Sequence, residues 1–92
     1  MKKESQLIIE TIKKWPMEFK GIHVRYACEE PFGYNIVTVS PESMFNDKSF
    51  KKAVYDLWTA FENNFQTDLI VSEPDESYNM TNILFDSAEN NN

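Results

Sequence analysis

Residues 49–65 read SFKKAVYDLWTAFENNF. Placed at 100° per residue, Phe50, Val54, Leu57, Phe61 and Phe65 fall together, with Ala53 and Trp58 at the margins of an apolar arc about 140° wide. Lys52, Asp56, Thr59 and Asn63 lie on the far side. This spacing predicts a helix that buries one stripe against a sheet, with Trp58 at the rim of the core. Asp47 is the expected N-cap, because its carboxylate can accept from the open amides of the first turn. Asn63-Asn64 is the expected stop, since asparagine tolerates the left-handed conformation.

The segments on either side alternate rather than turn. Residues 19–28, FKGIHVRYAC, place Ile22, Val24, Tyr26 and Cys28 on one parity, and His23, Arg25 and Ala27 on the other. Tyr34–Val39 is a second strand, apolar at both parities because Ile36 opposes Val37 and Val39. Such a strand belongs inside a sheet, or has an outer face that something covers. Pro31 and Gly33 mark the turn between these two strands. Ser40-Pro41-Glu42-Ser43 predicts one helical turn ahead of the main helix. Asp68–Ser72 and Asn79–Phe85 are the third and fourth strands, joined by an acidic turn holding Pro74.

Near the N-terminus, residues 3–15 carry a second amphipathic helix, which Pro16 ends at Trp15. Ile9 falls outside its apolar face. The predicted fold class is therefore α+β: a two-layer sandwich in the order α-β-β-α-β-β, with a four-stranded, mostly antiparallel sheet and both helices on one face. A helix followed by a hairpin recurs in each half, 3–40 and 48–86, without residue identity. One domain is expected over residues 1–86. Residues 87–92 have nothing evident to bury and are expected to form a disordered acidic, asparagine-rich tail.

The 92 residues include seven Phe, four Tyr and two Trp, enough to build a core without crosslinks or metals. The net charge of −6 is unevenly placed. Residues 1–25 hold six basic and three acidic groups, whereas residues 26–92 hold three lysines and twelve acids. That excess repels phosphate backbones and excludes general nucleic-acid binding from the expectations. No run approaches the ~20 apolar residues of a membrane span, and three apolar residues at Leu7–Ile9 do not make a signal peptide. A cytoplasmic protein is the expectation.

Catalytic signatures are sparse. Cys28 is the single cysteine and His23 the single histidine. Five positions apart on one strand, they point to opposite faces and make no nucleophile–base pair. Together they cannot complete a zinc site, and Glu73, Asp75 and Glu76 lack the spacing of a calcium loop. Two glycines cannot form a phosphate cradle. Glu29 and Glu30 sit beside a turn, where adjacent carboxylates diverge into water. No metal, cofactor or catalytic residue is expected.

What remains is surface. His23 and Arg25 share the sheet face expected to be free of helices, where Val37 or Ile36, together with Ile70, could join them. Phe32 and Tyr34 sit at the first hairpin tip, and Ile9 could widen the first helix toward a partner. The expected function is a small non-enzymatic protein–protein interaction domain of inhibitor, immunity, antitoxin or accessory-subunit type. It would self-associate through its uncovered sheet face or an edge strand, and its acidic C-terminal half would suit a basic partner surface. The alternative is a small-molecule-binding or weakly catalytic domain using His23 and Arg25.

Overall fold

The computed structural model describes residues 1–29, 34–78 and 80–89. Its longest element is α3, Lys48–Asn64, within one residue of the periodicity reading at either end. Asp47 caps it as expected, with its Oδ1 accepting from Phe50 N at 3.0 Å. The stop differs from expectation. Among the described residues no non-glycine takes a positive φ; Phe65 turns to extended geometry instead, and Asn64 Nδ2 donates to Ala60 O at 2.7 Å. The Phe65 N–H closes the last turn on Phe61 O at 2.9 Å.

Ahead of it lie α1 (Lys3–Ile12), the single turn α2 (Trp15–Glu18), β1 (His23–Glu29), β2 (Tyr34–Ser40) and a 3-10 turn, Glu42–Asn46. The first helix ends at Ile12, three residues short of the expected Trp15, and Pro16 instead stands in the first turn of α2, where its fixed φ fits. After α2, Gly21 at φ +81° turns the chain into β1, a conformation strained for any other residue. Following α3 come β3 (Leu69–Ser72) and β4 (Ile83–Asp86).

The fold is α+β, with a mixed four-stranded sheet in the order β3-β2-β1-β4. β1 pairs antiparallel with both β2 and β4, while β2 pairs parallel with β3. A parallel neighbour requires a crossover, and α3 supplies it. The second hairpin expected from the sequence is absent: β3 and β4 lie at opposite edges. The two halves are therefore not structural repeats.

Register separates the faces. Val24, Tyr26 and Cys28 align with Val39, Val37 and Asn35, and all six are buried on the side that receives α1 and α3. Ile8, Ile12, Trp15, Phe50, Leu57 and Phe61 complete that core, with Val54, Phe65, Leu69, Val71 and Phe85 packed at its margin. Cys28 is the small core side chain its parity predicted. Trp58 is 43% exposed and Tyr55 more so.

The other face is not open, which corrects the expected interface. Ala27, Ile36 and Thr38 point away from the helices, yet all are buried. Ser72 ends β3 beside Thr38, and Ile83 begins β4 beside Ala27, so the connection 73–82 must pass from one edge of the sheet to the other. That distance is about 14 Å across the strands, within easy reach of ten residues. The fourth strand starts at Ile83, four residues after the expected Asn79, which itself lies outside the described residues.

Candidate functional site

Two surface regions combine polar chemistry with shape. The first gathers around Asp86 at the end of β4. Its Oδ1 lies 2.7 Å from His23 Nε2 and accepts from Ala88 N at 3.0 Å. Its Oδ2 lies 3.4 Å from Arg25 Nε, within ion-pair range but without a hydrogen bond. His23 and Arg25 are two apart on β1, so the pleat sets both on one face, and the register Arg25↔Asp86 brings the carboxylate between them. Burial alone would push the Asp86 carboxyl up. The His23 hydrogen bond, the Ala88 N–H and the nearby charges of His23 and Arg25 outweigh it and hold the group below its ordinary value.

The sign of that shift gives a pH dependence. A carboxylate held low in the folded chain adds stability above its unfolded pKa of about 3.9, and that stability is lost as pH falls through the folded value. Both cationic partners are about two-fifths exposed, so solvent screens much of the interaction. Asp86→Asn is expected to cost about 1 kcal/mol at pH 7. Urea unfolding at pH 7 and pH 3 checks this: the gap between wild type and variant should shrink at the lower pH, and an equal gap at both would refute it.

Beside this cluster is a depression of about 340 Å³, lined by Pro16, Gly21, Ile22, His23, Ser87 and Ala88. Ser87 itself is buried; its N donates to Val24 O and its Oγ accepts from Val24 N, both at 2.9 Å. Ser87, expected to start the disordered tail, instead continues the clasp of β4 on β1. Residues 90–92 lie outside the described residues.

The second region follows the outer edge of β3. A depression of about 280 Å³ opens at one end, between Trp58, Glu62, Thr67, Asp68 and Leu69. Another, of about 350 Å³, opens at the other end, lined by Glu42, Phe45, Asn46, Val71, Ser72 and Glu73. Glu42, Glu62, Asp68 and Glu73 are all exposed. Neither lining contains a lysine, arginine or histidine. α3 places Trp58 and Glu62 one turn apart, and the 3-10 turn places Glu42 and Phe45 three apart, so each depression pairs an aromatic with carboxylates.

Compared with family models, curated proteins and solved structures, the chain matches none. Among the described residues, no helix is long and apolar enough to cross a membrane, and no group of three or more His, Cys, Asp or Glu is placed to hold a metal ion.

Of the residues singled out by sequence, His23 and Arg25 do meet, through Asp86. Val37 does not reach a surface: it is fully buried under the helices, since its parity matches Val39 and not Ile36. Ile70 is half-buried on β3 and contributes to the depression beside Trp58. Tyr34 is half-buried opposite Glu29. Ile9 is half-buried and packs against the core, not outward. Phe32 lies outside the described residues.

Glu29 corrects another expectation. It is buried on β1, and its carboxylate accepts from Thr81 N at 2.6 Å, Thr81 Oγ1 at 2.9 Å and Asn82 N at 3.4 Å. It fixes the end of the crossing segment where β4 begins. Nothing local signals this, because the donors are more than fifty residues away. Asp86 escapes sequence reading for the same reason: its partners on β1 are more than sixty residues away.

Proposed function

We propose that this chain is a non-enzymatic protein-interaction domain whose partner presents a basic surface. One observation carries the reading: the two depressions along β3 combine Trp58 and Phe45 with Glu42, Glu62, Asp68 and Glu73, and hold no cationic side chain. Aromatic anchors ringed by polar groups are the usual anatomy of an interface, and carboxylates of one sign select a partner of the other. The same charges disfavour a second copy here. A second copy laid against β3 would bring the same set of carboxylates to this edge, with no cation in either lining to offset them.

The test is affinity capture from the native cell extract by wild type and by a variant carrying Glu42→Lys, Glu62→Lys, Asp68→Lys and Glu73→Lys. These four exposed positions leave the core untouched. A basic protein retained by wild type, released by added salt and absent from the variant is the expected result. An identical set of retained proteins would overturn the proposal.

The depression beside His23 favours a second reading, a site for a small anionic molecule. Against it, Asp86 already engages both cationic side chains there. That reading requires a ligand whose binding weakens on His23→Gln with the fold unchanged.

A further inference from the structure

We propose that the outer edge of β3 receives an extended, basic segment of a partner protein as an added strand. This rests on the interaction reading above and specifies the mode of binding and the partner's chemistry. Main-chain geometry is the first argument. Asn35 N donates to Asp68 O at 3.0 Å, and Asn35 and Ile36 align with Leu69 and Ile70 in the parallel ladder. In that pattern the main-chain groups of Asp68 and Ile70 face β2, and those of Leu69 and Val71 face outward. Among the described residues β3 pairs with β2 alone. Its outward row of donors and acceptors is a ready template for another strand.

The second argument compares the two edges. β4 breaks its register with β1 between Tyr26 and Ala27, and an irregularity of this kind discourages edge pairing. Leu69–Ser72 has an unbroken register and contains no lysine or proline. Both edge strands are short, but only β4 carries a break in register.

Charge and spacing then select the occupant. Consecutive side chains on one face of an added strand stand about 7 Å apart, and alternate ones about 13 Å. The depressions flank a four-residue strand, so basic side chains two to four residues apart can enter both. There an arginine or lysine stem would lie along Trp58 or Phe45, with its charge among the carboxylates. An acidic segment would be repelled at both ends.

The probe is a blocked nonapeptide of alternating arginine and valine, titrated while the amide signals of Leu69 and Val71 and the emission of Trp58 are followed. Two further forms carry N-methyl groups on alternate residues, one form for each edge of the peptide strand. Strand addition uses a single edge. One methylated form should therefore bind at least tenfold more weakly, the other should bind as the parent does, and the Leu69 and Val71 amides should gain protection from exchange. Equal binding of both methylated forms, with no protection in β3, overturns strand addition but leaves charge-dependent interaction standing. Failure of every form to bind also overturns it. Charge-sensitive capture of a partner from extract then tells separately whether the interaction reading itself has failed.

Discussion

Replacing Phe50 with alanine is expected to remove about 3–5 kcal/mol of stability, a large share of the 5–15 kcal/mol typical of a folded domain. The Phe50 ring is fully buried, and three aromatic rings approach it edge-on. Trp15 stands at 5.1 Å, Phe19 at 5.3 Å and Phe45 at 5.4 Å, with interplanar angles of 78°, 85° and 78°. Each such pair adds about 0.5–1.5 kcal/mol beyond area burial. Those neighbours come from α2, the segment after it and the 3-10 turn, so no single element can shift to fill the space. Urea unfolding would show a large drop in midpoint or loss of the cooperative transition. Phe50→Leu, which retains most of the volume, should cost about half as much. A loss below about 2 kcal/mol for the alanine variant would mean that the site collapses freely.

The second large effect is expected at Tyr26. Its hydroxyl donates to Asn35 Oδ1 at 2.5 Å, which leaves Ser5 Oγ as the donor in the 2.9 Å contact with the same oxygen. Asn35 Nδ2 continues the chain to Asp68 O at 3.3 Å. Ser5, Tyr26 and Asn35 are all buried, so this line of bonds ties α1, β1, β2 and the entry to β3 inside the core. Tyr26→Phe deletes one oxygen and strands two buried partners, at a cost of about 2–3 kcal/mol. Burial also pushes the Tyr26 phenol well above its ordinary value. A proton held more tightly in the folded chain gives stability that is present below the unfolded pKa of about 10 and lost as pH rises beyond it. In an alkaline titration, a tyrosinate absorbance step should coincide with loss of the folded circular-dichroism signal, and Tyr26→Phe should lack that step. Ionisation of Tyr26 at constant fold would refute the account.

Both predictions concern residues whose faces were legible in the sequence. The stripe through Phe50 and the parity of Tyr26 follow from helical and strand periods alone, and so do the cap at Asp47 and the burial of Cys28. The partners were not legible. Nothing within reach of Tyr26 in sequence announces Asn35 as its acceptor, and Phe19 and Phe45 carry no mark that they converge on one ring. Strand parity left Ile36 and Val37 competing for the inward side, and only the pairing partner decides between them.

The edges explain the larger miss. Two strands separated by a proline-bearing turn suggest a hairpin, because local closure costs less entropy than distant closure. β1 had two open sides, however, and β4 takes the one that β2 leaves. For the candidate site, His23 and Arg25 were visible as a same-face pair. Their shared carboxylate, Asp86, is contributed from across the fold, as are the acids along β3.

The segment from Glu73 to Ser87 has a consequence for how the molecule can come apart. It closes the outer side of β1 through β4 and is fastened at both ends of that strand, by Glu29 at one and by Asp86 and Ser87 at the other. Peeling it away uncovers the bare edge of β1, a row of unpaired main-chain groups prone to pairing with other unfolding chains. The two anchor points thus guard against aggregation as well as holding the strand in place, and they do so far from the edge where a partner is proposed to bind.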